Sequence, residues 1–411
     1  MEWGLIWVLA VGFGVSMGWR AGRPLEIAPG DRSEASGACP PQTLLGPPAP
    51  NLYERLAFTR HDALAWSPRL ADQPLPWRRE MVRLGRVLDE EGVAEICFVH
   101  GTFVGSDPFA LFASLRRRSQ RLDRRLARPL QRLWARATHT LTGEFGNFSP
   151  GYVRLFSGAT ALPCSRFSWS SENTHAGRLA AAAQLAHHLV KRLDEQEIPE
   201  PSKVVLVGHS HAGQVFALLL QMVEACDHGP ELVRLAGELG EDPDWLAMHL
   251  ERLRHHDLRI VTLGTPPRYG WPASARGRLL HIVNHRGEEP LAGRMDGVLT
   301  TRDGDYIQQW GIVGSDLPAA SRERRQLNRE LDGLLGNGHA PKEWRRALEH
   351  RKRVHDVGRT LLVDYGDGSA GRPNFVLTNF GHAIYTRRST MRFWLSVAAR
   401  RLFEAPRVRS H

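Results

Sequence analysis

The chain has 411 residues, a formal net charge of +10, 42% hydrophobic residues and 12 tryptophans, enough for one large α/β domain with appendages or for two ordinary domains. Its four cysteines, Cys39, Cys97, Cys164 and Cys226, have no CxxC spacing. That argues against a zinc site or a disulfide framework and points to a reducing compartment.

Residues 3–19 form an apolar run bounded by Glu2 on one side and by Arg20 and Arg23 on the other. A run of that length is at the short end for a membrane span. The missing positive n-region and the Met17-Gly18-Trp19 context do not suit a cleaved signal. The segment 1–24 is therefore expected to be a single membrane anchor, with the arginines holding the body on the cytoplasmic side. The alternative is a signal segment, which would leave a secreted or periplasmic protein. Residues 25–50, rich in Pro, Gly, Ala and Ser, read as a linker, and a folded domain is expected over 51–405, starting with a helix over Arg78–Leu88.

A strand is predicted over Ala94–Val99, followed by His100-Gly101-Thr102-Phe103. Residues 115–136 carry nine arginines and one aspartate, with Leu115, Leu122, Leu126, Leu130 and Leu133 at helical spacing. No aromatic stacking platform accompanies these arginines, which argues against nucleic acid. An apolar stripe edged with arginine suits an anionic membrane surface, although a solvated helix packed by its leucines fits the pattern equally well. A strand at Arg166–Ser171 and an alanine-rich helix from Thr174 to about Leu193 then lead into Lys203–Val207, the next strand. Its sequel, Gly208-His209-Ser210-His211-Ala212-Gly213, is a small-residue turn centred on a serine, and an apolar helix begins at Gln214. A serine hydroxyl is a weak nucleophile, and a sharp strand–turn–helix presents it to a base and to backbone N–H groups. Two helices over 230–256, a strand at Leu258–Leu263 ending in Gly264-Thr265-Pro266-Pro267, and a strand at Leu279–Val283 follow. The alternation implies a doubly wound, mostly parallel sheet covered on both faces.

The order VHGTF, FSWSSENTHAGR, VVLVGHSHAG, TLGTPPRYGW resembles the α/β-hydrolase superfamily, most of all its lipase-like and GPI-inositol-deacylase-like branches. The likeness covers about residues 93–285 and extends to the C-terminal part by order alone. Alanine stands at 212 where that family's G-x-S-x-G has its second glycine. The resemblance implies a nucleophile at Ser210 and an oxyanion hole from the backbone N–H groups of Thr102 or Phe103 and of His211. It also implies an acid and then a histidine later in the chain. His382, in Asn379-Phe380-Gly381-His382 ahead of a terminal helix over Arg388–Phe403, fits the base. His355 falls in the basic stretch HRKRVHD, expected to be helical and far from any strand end. Four residues are candidates for the acid. Asp316 ranks first, after the strand-like Tyr306–Val313, and Asp296, Glu289 and Asp364 are the alternatives. His209 and His211 flank the serine too closely to act on its hydroxyl and read as pocket walls, with no third ligand nearby for a metal. Between Asp316 and Asp356 a polar helical pair reads as an insertion before the catalytic histidine.

The expectation is a serine esterase or lipase without a cofactor, acting on an ester or lipid through an acyl-enzyme. An acyltransferase or thioesterase with the same triad, or a non-catalytic membrane-associated binding protein of this fold, are the alternatives. Oligomeric state has no signature in the sequence.

Overall fold

The computed structural model describes residues 39, 42, 47–58, 69–101, 147–313, 316, 321–336, 351–366 and 378–403. The apolar segment 1–24, most of the 25–50 linker, the arginine-rich segment 115–136, and Thr102 and Phe103 lie outside them, as do residues 341–350 of the expected helical pair.

Seven strands, β1 (Tyr53–Ala57), β2 (Val93–Val99), β3 (Cys164–Phe167), β4 (Lys203–His209), β5 (Asp257–Leu263), β6 (Leu279–Asn284) and β7 (Arg359–Asp364), form one sheet. The order is β1-β7-β6-β5-β4-β2-β3 and every pairing is parallel. A parallel sheet must be covered on both sides, so its strands read as continuous apolar runs. In β4, Val204 and Leu206 enter one apolar cluster while Val205 and Val207 enter the other.

The helices α1 (Leu75–Glu90), α2 (Pro150–Thr160) and α9 (Arg388–Ala398) cover one face of this sheet. Met391, Trp394, Leu395 and Val397 of α9 point inward as their spacing predicts. The opposite face carries α3 (His175–Glu195), α4 (Ala212–Val223), α5 (Gly229–Glu238), α6 (Pro243–Arg254) and α8 (Arg322–Leu335). Of the polar pair, α8 buries Leu327, Leu331 and Leu335, so only its charged side is a solvated face. The chain runs from β2 outward to β3, then crosses back to lay β4 on the other side of β2. Ligands of open α/β sheets bind at such a reversal, beyond the carboxyl ends of the strands.

Three local expectations change. Tyr306–Val313 is a helix, α7, because the Asp305 carboxylate accepts from the backbone N–H of Gln308 at 2.8 Å and caps its first turn. Residues 351–355 form no helix, with Lys352 bridged to Leu291 and a bend at Val354, and His355 is buried. The end of the presumed linker docks on the core. Gln42 is buried, donates to the Tyr269 carbonyl at 2.7 Å and accepts from the Asp356 N–H at 3.1 Å.

Candidate active site

Ser210 ends β4 with φ of 57°, a left-handed conformation that costs a non-glycine residue about 1–3 kcal/mol and needs support from its surroundings. Its N–H continues the ladder to the Leu263 carbonyl at 2.8 Å. Its own carbonyl accepts from the Thr265 hydroxyl at 2.6 Å and the Gly213 N–H at 3.2 Å. The small residues make room for this turn. A Cβ on Gly208 would sit 2.4 Å from the Phe216 ring, and one on Gly213 would sit 2.2 Å from Thr265 Oγ1. Gly101, at the end of β2, lies against the serine, where a Cβ would be 2.8 Å from Ser210 Cβ. The loop after β3 secures that glycine, with Ser171 donating to its carbonyl at 2.8 Å and the Trp169 indole donating to His100 O at 2.9 Å.

His382 lies on the other side of the elbow. Its ring centroid is 4.4 Å from that of His209, and His209 Nε2 donates to its backbone carbonyl at 3.0 Å. The Nδ1 of His382 donates to Asp305 Oδ2 at 2.7 Å, which leaves Nε2 as the unprotonated nitrogen. That Nε2 is buried and has no hydrogen-bond partner among the described residues. Ser210 Oγ and His382 Nε2 share no hydrogen bond, and such contacts are commonly long until substrate docks. The ring of His211 reaches the hydroxyl, its Nδ1 standing 3.4 Å from Ser210 Oγ. Adjacency in sequence does not keep it away, contrary to the expectation above. Burial first, and then the Arg178 charge, hold the His211 pKa well below its ordinary value, so the ring is neutral.

Asp305 is the carboxylate that contacts His382, and it was not among the four sequence candidates for an acid. It is fully buried, and Oδ2 also accepts from the Tyr385 hydroxyl at 2.8 Å. The Asp305 N–H donates to Asn284 O at the end of β6 at 2.9 Å, and the buried Arg353 guanidinium donates to its carbonyl. Burial alone would raise its pKa, but the charge of His382, the hydrogen bond from it and the charge of Arg353 outweigh that and hold the carboxylate below its usual range.

None of the four sequence candidates contacts His382. Asp316 pairs with Arg178 at 2.6 Å and Arg268 at 2.8 Å. Asp296 is exposed in a 3-10 turn 3.8 Å from Arg294, and the exposed Glu289 offers only its carbonyl, to His285. Asp364, at the end of β7, pairs with Arg286 at 2.9 Å. The backbone of His211 begins α4, where one oxyanion N–H is expected, while Thr102 and Phe103 fall outside the described residues.

Among the described residues no group of His, Cys, Asp and Glu could hold a metal ion, and no helix is long and apolar enough to cross a membrane. No family model, curated protein or solved structure matches this chain.

Proposed function

We propose that this chain is a serine hydrolase of the α/β-hydrolase type that cleaves carboxylic esters. One observation carries the reading: a histidine held by a buried carboxylate keeps a buried, unbonded Nε2 and packs its ring against His209, the residue before a serine that a strained elbow presents at the sheet's switch point. Ser210 Oγ attacks the ester carbonyl carbon while His382 Nε2 accepts the hydroxyl proton. Asp305 keeps the ring in the Nδ1–H tautomer and stabilises the imidazolium. The alkoxide of the tetrahedral intermediate takes hydrogen bonds from backbone N–H groups, that of His211 among them. The intermediate collapses, the alcohol leaves with the proton from His382, and an acyl-serine remains. Water then attacks the acyl carbon as His382 takes its proton, and the acid departs to restore Ser210.

The direct test is covalent labelling by a fluorophosphonate of wild type, Ser210→Ala and His382→Ala proteins. Wild type should label, with label lost in Ser210→Ala and slowed at least a thousandfold in His382→Ala. A folded wild type that takes up no probe would discard the enzyme reading in favour of a binding protein.

A further inference from the structure

A charged cluster lies beside the elbow and has no part in the triad. Arg178, on the first turn of α3, is fully buried, and all three arms of its fork are occupied: Nε on the Tyr269 hydroxyl at 2.8 Å, Nη1 on Asn173 at 2.9 Å, Nη2 on Asp316 at 2.6 Å. Arg268, only 5% exposed, is not satisfied in this way. Its Nη2 reaches Asp316 at 2.8 Å and His175 Nε2 at 3.3 Å, whereas its Nη1 is buried without a hydrogen-bond partner among the described residues. Asp316 touches both arginines, and Asp332 reaches His175 Nε2 at 3.1 Å. A buried guanidinium N–H left unbonded costs a few kcal/mol, so it needs a partner of its own.

The cluster lies near the nucleophile. Arg268 follows by three residues the Thr265 whose hydroxyl holds the Ser210 carbonyl, and three residues of chain span at most about 11 Å. The charges of Arg178, Asp316 and Arg268 all act on the ring of His211, the residue 3.4 Å from Ser210 Oγ. Gln214, on the first turn of α4, also keeps both amide atoms buried and unbonded.

We propose that Arg268, backed by Arg178, is the anion-recognition end of the Ser210 site, so that the preferred substrate is an ester bearing a carboxylate or phosphate group. The inference rests on the serine-hydrolase reading and adds the substrate class to it. A planar guanidinium that still has a free N–H donates it to one oxygen of an anionic group, a geometry that suits a carboxylate or a phosphate. Asp316, which the sequence offered as the triad acid, holds these arginines in place.

The test compares matched esters. 4-Nitrophenyl butyrate is set against 4-nitrophenyl hemiglutarate for the carboxylate, and ethyl butyrate against 2-phosphoethyl butyrate for the phosphate. Wild type should show kcat/KM at least tenfold higher on one anionic ester than on its neutral partner. The pair that shows it tells the two anions apart. Arg268→Gln should lower that ratio at least tenfold, and Arg268→Lys should recover part of it by keeping the charge without the fork. A wild type that labels with fluorophosphonate but shows no anionic preference overturns the substrate inference and leaves the hydrolase reading standing. Equal losses on both esters in both variants, with unchanged unfolding midpoints, also overturn it. Calorimetric binding of glutarate and of inorganic phosphate to Ser210→Ala separates the two failures in the other direction. An anion that binds and is lost with Arg268→Gln supports the site even if no ester is cleaved.

Discussion

The Asp305 carboxylate spends one oxygen on architecture and the other on chemistry. Oδ1 caps α7 through the Gln308 N–H, and Oδ2 takes the His382 ring and the Tyr385 hydroxyl. Asp305→Asn removes the charge and can present an amide N–H to Nδ1, which favours the wrong tautomer. The expected loss in kcat on a simple ester is about 10³–10⁴-fold with KM little changed. Tyr385→Phe removes one hydrogen bond to the same oxygen, worth about 1 kcal/mol, so a loss of about fivefold is expected. Steady-state kinetics with near-ultraviolet circular dichroism as the check on folding would measure both, and an Asp305→Asn enzyme within tenfold of wild type would remove Asp305 from its role. Ser210 and His382, which the proposed reading joins to Asp305, stand out in the sequence because small residues and a Gly-His step mark them. Asp305 does not, because reading Tyr306–Val313 as a strand drew attention to Asp316 at its far end. The missed signal was Asp305-Tyr306-Ile307-Gln308, an Asp followed three residues later by Gln at the start of a helix.

At the scale of elements, the elbow depends on how closely α4 approaches the turn after β5. The Cβ of Gly213→Ala would meet Thr265 Oγ1 at 2.2 Å and Thr265 Cβ at 2.8 Å, both in a fully packed interior. Thr265 cannot step aside without releasing the Ser210 carbonyl. The variant should lose about 1–3 kcal/mol of stability and label with fluorophosphonate more slowly than its remaining folded fraction explains. Urea unfolding alongside the labelling rate checks this, and wild-type values for both would show that α4 can shift freely. The strands were legible for the reason that makes them strands: a sheet buried on both faces demands aliphatic runs, and Val93–Val99, Lys203–His209 and Asp257–Leu263 supply them. The first strand, Tyr53–Ala57, was not named in the sequence, since YERLA at the sheet edge is only half buried and places two adjacent charges, Glu54 and Arg55, within it.

Across the whole molecule, three neutral histidines tie the sheet's carboxyl edge together. His355 stacks on His281 with centroids 3.7 Å apart. Its Nδ1 receives the Gln42 amide at 3.1 Å and the Trp271 indole at 3.4 Å, and its Nε2 donates to Thr265 O at 3.3 Å. His285 Nδ1 receives Arg353 at 3.0 Å while its Nε2 donates to Glu289 O at 2.7 Å. In both rings a proton on Nδ1 would face donors. Burial in the first place, and then the Lys352 charge on His355 and the Arg353 charge on His285, push both pKa values down to about 3; burial and the His355 ring lower that of His281 well below its ordinary value. The unfolded chain takes up these protons near pH 6.5 and the folded one does not. Below that pH the unfolded state binds more protons, so stability is complete above about 6.5 and is lost as pH falls towards 3. Each ring contributes a slope of about 1.4 kcal/mol per pH unit within that window, reduced by whatever structure the unfolded chain keeps. The urea midpoint read by tryptophan fluorescence should therefore fall steeply from pH 7 to pH 5. His355→Gln should flatten that dependence by about one ring's share, at the cost of some stability at pH 7. An acid-insensitive midpoint would mean that these rings admit a proton where they stand. His355 touches both Gln42 and the carbonyl of Thr265, and its folded-state pKa of about 3 keeps both contacts intact through the range in which the midpoint falls, so the fluorophosphonate labelling rate of the folded fraction should not follow the midpoint through a loss of these contacts.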